Sequence, residues 1–188
     1  MVGNHDERSL FRAVLPLPDS AQEDFVQYAV QLGGLRVICL DTSTEGSSDG
    51  SFCGAREAWL RDELARDQAT PTVVFCHHPP LDLGFPMLDP TRVPNGDVIL
   101  DLLSGALNVR QLLFGHVHRP ALGVVQGLPY ASIRSVLYQA PPPIPAWNWD
   151  GFTPALEAPD IGVITLIDDV LQVRFEPFCD ARTGLSFS

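Results

Sequence analysis

The chain has no lysine. All twelve of its basic residues are arginine, set against 23 acidic ones, for a formal net charge of −11. A surface this acidic repels a phosphate backbone, so a nucleic-acid polymer is not an expected partner. A small anionic substrate stays open, because bound divalent cations would reverse the local field. Also missing is any apolar run near the ~20 residues that span a bilayer, so no membrane partner is expected. The four cysteines (Cys39, Cys53, Cys76 and Cys179) form no Cys-x-x-Cys pair. Cys39 and Cys76 lie inside apolar runs and read as small core residues. No disulfide framework is expected, and a reducing, cytoplasmic location is. No internal repeat or flexible linker divides the chain.

What is present suits one globular domain. The 188 residues are 45% hydrophobic and 19% charged, ample material for a core. Ser20-Ala-Gln-Glu23 has the letters of a capping box that would open a helix. The stretch that follows, "FVQYAVQLGGLRVICLD", reads instead as two β-rich runs around Gly33-Gly34, a hairpin. "AREAWLRDELARD" predicts an amphipathic helix with Ala58, Trp59 and Leu64 inward and its charges outward. "TPTVVFC" and "VRQLLF" are short apolar strands covered on both faces. "DVILDLLSGA" predicts a helix. "ALGVVQGLPYASIRSVLYQ" reads as a strand pair around Gly127, and "IGVITLIDDVLQVRFEPF" as a hairpin turning at Asp168-Asp169. Residues 145–160 are Pro- and Trp-rich and read as an ordered surface excursion or an oligomer contact. Strands alternating with helices, then hairpins, imply a mixed-sheet α/β sandwich.

The chemistry concentrates in histidine. Five are present, and they fall in three places: His5 in "GNHD", His77-His78 in "HHPP", and His116 and His118 in "GHVH". "TPTVVFC" runs straight into His77, and "VRQLLF" straight into Gly115-His116. Each buried strand thus delivers imidazole at its carboxyl end, where α/β sheets build ligand sites. In an extended segment residues i and i+2 point the same way, so His116 and His118 are expected to face one site. Three His-bearing motifs that account for every histidine imply a metal centre rather than scattered structural residues.

Gly3-Asn4-His5-Asp6, Val74-Phe75-Cys76-His77 and Gly115-His116-Val117-His118 resemble, in order, the last three motifs of the calcineurin-like metallophosphoesterases. The "LDTSTEG" segment and the "HHPPLDLGFPMLD" loop resemble its bacterial branch of cyclic nucleotide phosphodiesterases and glycerophosphodiesterases. The resemblance covers Met1 to about Tyr138. It implies an αββα sandwich with mixed sheets. It also implies hydrolysis of small phosphodiesters by a metal-bound hydroxide, with two divalent ions ~3.5–4 Å apart. Asn4, His77 and His116 match ligands of one metal, and His118 a ligand of its neighbour. His5 matches the imidazole that contacts the phosphate and helps the leaving group depart, and Asp6 would orient it. His78 matches no ligand; lining the pocket and simple packing both stay open. Nitrogen and oxygen donors without thiolate suit Mn, Fe, Co or Zn rather than Ca.

Two earlier motifs of that family, Asp-x-His and Gly-Asp-x-x-Asp, have no counterpart. Gly96-Asp97 is the nearest, but Leu100 stands where the closing aspartate belongs, and the segment reads as a helix start. The expectation is a single domain over 1–188, the carboxyl-terminal part of a phosphoesterase domain lacking its first strands. Such a chain is expected to hold one divalent ion weakly or none, to hydrolyse little, and to form a homo-oligomer through exposed edges and apolar faces. The alternative is a metal-poor binding or scaffold protein of the same fold. A metal-free hydrolase with a Ser–His pair is the least favoured reading.

Overall fold

A computed structural model describes residues 1–178; Cys179 lies outside them. The elements are α1 (Arg8–Val14), β1 (Tyr28–Leu32), β2 (Leu35–Cys39), α2 (Gly54–Arg66), β3 (Thr72–Cys76), α3 (Gly96–Ser104), β4 (Val109–Phe114), β5 (Ala121–Val125), β6 (Leu128–Ser132), β7 (Asp160–Ile167) and β8 (Val170–Pro177). Six strands form one mixed sheet in the order β1-β2-β3-β4-β6-β5. Its centre is parallel, and the edge strands β1 and β5 pair antiparallel. β7 and β8 form a separate hairpin.

The two short apolar strands explain the layering. Along β3 and β4 successive side chains point to opposite faces. Val74, Cys76, Leu112 and Phe114 pack with Leu60 and Leu64 of α2 and Ile99 and Leu103 of α3. Val73 and Leu113 pack on the other face against Ile164, Leu171, Val173 and Phe175 of the hairpin. A strand covered on both faces has no polar register, which is why Val73–Cys76 and Leu112–Phe114 are apolar throughout, while Arg110 is exposed near the start of β4. Three layers result: helices, six-stranded sheet, hairpin. The expected α/β fold with a mixed sheet is thus present, and α1 buries no side chain.

Several local expectations change. The Gly33-Gly34 hairpin forms as expected, and Ser20 opens no helix; its hydroxyl donates to the Ala29 carbonyl at 2.6 Å and accepts from the Ala29 N–H at 3.1 Å, bracing β1. α1 carries no apolar stripe, since Leu10 and Val14 are exposed, so its sequence gave no periodic signal. Of the α2 residues expected inward, Leu64 is buried and Trp59 packs half-buried against the core, whereas Ala58 is exposed and Leu60 takes the central position. Two charges of that helix are buried rather than outward, Arg56 and Glu63. Glu63 meets Arg36 of β2, and Arg56 reaches the carbonyls of Asp41 and Ser43 at 3.0 and 3.1 Å. The alternation read as far as Gln139 pairs only as far as Ser132. Gly96 does begin a helix, and it must be glycine there: a Cβ would lie 2.0 Å from the Pro80 carbonyl oxygen.

Candidate functional site

β3 and β4 are parallel neighbours, so their carboxyl ends lie side by side. That places His77 and His116 together: their ring centroids are 5.2 Å apart, and His78 is 4.9 and 4.6 Å from them. One nitrogen from each of the three rings lies within 4.8 Å of the others. The amino-terminal turn closes over the cluster, with Asn4 Oδ1 at 2.7 Å from His77 Nε2. The close approach requires Gly3, since a Cβ there would stand 3.0 Å from the His77 ring.

Hydrogen bonding separates the three imidazoles. The backbone carbonyl of Ser48 can only accept, so His78 Nε2 carries a proton and donates to it at 3.2 Å. His78 Nδ1 then accepts from the Thr42 hydroxyl at 3.1 Å, and Thr42 Oγ1 accepts the His78 backbone N–H at 3.0 Å. Both ring nitrogens are engaged and the side chain is fully buried. His78 is therefore a packed residue that pins the Ser43–Gly50 loop, with no lone pair to offer a cation. His116 differs. Thr91 donates its one hydroxyl proton to the Leu88 carbonyl at 2.7 Å, so its oxygen receives His116 Nε2–H at 2.7 Å. The lone pair of His116 is then on Nδ1, held in place by a hydrogen-bonded partner as metal-ligating imidazoles commonly are.

All four clustered histidines are neutral at neutral pH. Burial, followed by the neighbouring imidazoles, pushes His77 down to about 2 and His116 to about 3. Burial takes His78 to about 4 against the opposing pull of its Ser48 and Thr42 bonds. His118 is also lowered by burial. Neutral imidazole is the form that ligates metal.

The expectation that His116 and His118 share a direction because their segment is extended does not hold. Both have left-handed backbones, φ 64° and 49°, in a tight turn closed by Val117 N–H to the Gly115 carbonyl at 2.7 Å. They still line one cleft of about 350 Å³ with Asn4 and His5. Non-glycine residues in this region are strained, and such strain gathers at functional sites. His118 sits edge-on to Tyr138 at 4.6 Å. The expected Asp6–His5 pairing is not formed: Asp6 Oδ2 accepts the Gly3 N–H at 2.8 Å, closing the turn that carries Asn4, while His5 stands exposed at the cleft wall.

Behind the turn lies a buried ionic knot. Asp41 follows the end of β2 and is fully buried. Arg8 Nε reaches it at 2.6 Å, Val26 N–H at 2.9 Å, and Ser43 donates its N–H and hydroxyl at 3.0 and 2.7 Å. Burial raises the Asp41 pKa, but the bonds from Arg8, Ser43 and Val26 outweigh it and hold the carboxyl below its ordinary value. Arg8 lies three residues past His5, so the knot anchors the Asn4–His5 turn to the sheet. Thr42 and Asp41 follow a strand end, the same signal that marked His77 and His116. Thr91 sits in a loop and had no such signal.

Gly46-Ser47-Ser48-Asp49-Gly50 has the letters of a serine-hydrolase elbow. It belongs to the long loop between β2 and α2, not to a sharp strand-to-helix turn. Its Ser48 meets His78 through the backbone carbonyl rather than the hydroxyl, so no Ser–His nucleophile pair forms there.

Imidazoles gather at the carboxyl ends of adjacent parallel strands with a carboxamide oxygen closing on them, a group that could hold a metal ion. Residues 1–120 match the calcineurin-like phosphoesterases, and the chain belongs to that family. It is 34% identical over 142 residues to a probable cyclic nucleotide phosphodiesterase of Rhodopseudomonas palustris, covering 74% of this chain and 52% of the relative. It is 29% identical over 143 residues to the glycerophosphodiester phosphodiesterase GpdQ of Enterobacter lignolyticus, covering 74% and 51%. The chain thus spans about half the length of these curated relatives. Among solved structures, a dimetal phosphatase from Danio rerio aligns with 60% of this chain and 50% of its own, at 16% identity and a TM-score of 0.49. No helix among the described residues is long and apolar enough to cross a membrane, and Cys39, Cys53 and Cys76 are unpaired.

Proposed function

We propose that this chain carries part of a metal-dependent phosphodiesterase site acting on small diesters, of the cyclic nucleotide or glycerophosphodiester kind. The observation that carries the reading is the convergence of Asn4, His77 and His116 from three distant segments, with Asn4 Oδ1 and His77 Nε2 2.7 Å apart. The donor chemistry fits a divalent cation such as Mn, Fe, Co or Zn. Asn4, His77 and His116 would hold it, and His118 would serve a neighbouring ion. When bound, such a cation supplies a nucleophile at neutral pH and offsets charge developing on the phosphoryl oxygens. His5, exposed at the cleft wall, is placed to meet the phosphate and to give a proton to the departing alcohol. Asp6 holds the turn that presents Asn4. Thr91 keeps the His116 lone pair on Nδ1.

The cluster contains no carboxylate among the described residues. Neutral donors leave the charge of a cation uncompensated, so we infer that the chain alone binds one ion weakly. The same fact favours the second reading, a metal-poor binding protein of this fold. A cytoplasmic location, a single domain over 1–188 and self-association belong to the proposal. Self-association is supported by an open apolar groove of about 510 Å³ between Leu32, Leu35, Phe75, Ile164 and Leu166.

The deciding experiment is hydrolysis of bis(p-nitrophenyl) phosphate with added Mn²⁺, in wild type and in His77→Ala and His116→Ala. Metal-dependent turnover abolished by either change supports the phosphodiesterase. Turnover that survives both removes the metal mechanism, and a wild type without turnover favours the binding protein.

A further inference from the structure

The cleft is lined by two unlike groups. Asn4, His5, His116 and His118 supply the polar lining, and Tyr138, Trp147, Trp149 and Phe152 an adjoining aromatic wall. The wall starts one ring away from the histidines: His118 touches Tyr138 at 4.6 Å, Tyr138 touches Phe152 at 5.8 Å, and Phe152 touches Trp149 at 5.6 Å with its plane tilted by 38°. Two of the chain's three tryptophans are spent here. The wall comes from residues 138–152, beyond the 1–120 that match the family.

This wall is anchored at several points. Gln139 is buried, and its side chain bonds the backbone of Ser135 at 3.0 and 2.6 Å. Ala140 N–H reaches the His118 carbonyl at 3.2 Å, tying the segment to the histidine turn. Asn148 Oδ1 accepts the Gly151 N–H at 2.9 Å, capping the short helical turn that carries Trp149. Yet Trp149 is 55% exposed. One exposed indole alone would mean little, but Trp149 belongs to a contiguous group of four aromatic rings beside the cleft, and such a patch marks a binding surface.

The chemistry of the lining limits what fits. Among the described residues no Asp, Glu, Lys or Arg lines the cleft, so a polyol or a second phosphate meets no charged anchor from them. Its hydroxyls are few, and that of Thr91 is already engaged with Leu88 and His116. The wall's rings lie against one another at 5.2–5.8 Å. They therefore enclose no gap that would cage a quaternary ammonium; they offer an outer π-face.

We propose that Trp149, backed by Phe152 and Tyr138, is a subsite that stacks a planar nucleobase esterified through its sugar to the phosphate held at the histidines. The subsite rests on the phosphodiesterase reading for where that phosphate lies. It makes this chain select base-bearing substrates over glycerol-headed ones.

Two phosphomonoesters that differ in the alcohol test this. Calorimetry with saturating Mn²⁺ compares adenosine 5′-monophosphate and glycerol 3-phosphate in wild type, Trp149→Leu and Trp149→Phe. The nucleotide is expected to bind at least about tenfold tighter to wild type and to lose about tenfold in Trp149→Leu, as a lost stack should. Glycerol 3-phosphate should be unchanged, and Trp149→Phe should recover most of the nucleotide affinity. Equal affinities in wild type, an equal loss of both ligands in Trp149→Leu, or no nucleotide binding overturns the subsite. Turnover of bis(p-nitrophenyl) phosphate is scored separately. Trp149-dependent nucleotide binding without turnover supports the subsite and sinks the reaction; turnover without nucleotide preference sinks the subsite alone.

Discussion

Replacing Asp41 by asparagine should be the most damaging conservative change in this protein. The carboxylate is fully buried and accepts from Arg8, Val26 and Ser43, with Arg56 Nη1 a further 3.8 Å away. Each of its oxygens faces only donors. An asparagine of the same shape must turn its NH₂ toward one of those donor sets, whichever way it is flipped. It also leaves buried Arg56 without its counter-charge and Arg8 with only the exposed Glu45 carboxylate at 3.6 Å. Removing one partner of a buried ion pair costs about 3–5 kcal/mol. For a chain of this size that lowers the melting temperature by on the order of 10 °C. The assay is urea unfolding of wild type and Asp41→Asn at pH 7, followed by tryptophan fluorescence. A loss below about 1 kcal/mol, the range of a single exposed pair, would refute the idea that the knot is held by charge. The pH dependence gives a second check. The folded pKa of Asp41 is below the ordinary 3.8, so its contribution is fully present above about pH 4 and fades as pH falls through the lower folded value. Asp41→Asn should lose that component of acid sensitivity.

Two further outcomes follow from the hydrogen bonds of the cluster. Thr91→Val removes the acceptor for His116 Nε2–H at nearly constant volume, so Mn²⁺ affinity by calorimetry should fall about 10–100-fold while the unfolding midpoint moves little. The metal-free protein should lose stability below neutrality. His78 is held near 4 by burial against an ordinary 6.5, so stability is fully present above pH 6.5 and declines as pH falls toward 4, by about 3 kcal/mol for this group. Denaturant midpoints at pH 7, 5.5 and 4.5 check this, and a flat profile would mean that His78 is not buried neutral.

Much of the site was legible because its signals are local. An apolar strand end followed within two residues by histidine states both the layer and the position. Two such strands, both parallel, need only be neighbours for His77 and His116 to meet. What was not legible depends on tertiary partners. His78 stands beside His77, yet only the carbonyl of Ser48, 30 residues earlier in the chain, decides that its nitrogens are engaged. Arg56 and Glu63 sit on a helix face that pattern assigns to water, and they are buried because Asp41, Ser43 and Arg36 wait for them across the layer. The directions of His116 and His118 failed for another reason: the period-two rule assumes extended backbone, and a turn closed at Gly115 replaces it.

The same contrast explains how the centre is held. The strand ends fix His77 and His116 through the sheet, whose core includes Val74, Leu112 and Phe114. Asn4 has no strand behind it among the described residues. Its place depends on the Asp6–Gly3 bond, on the bare α-carbon of Gly3 beside the His77 ring, and on the Arg8–Asp41 pair. One half of the donor set is therefore held by apolar packing and the other by polar contacts that acid weakens. Acid reaches the strand-end half first, through its buried neutral histidines, because the Asp41 carboxyl is held below its ordinary value and stays ionised until lower pH.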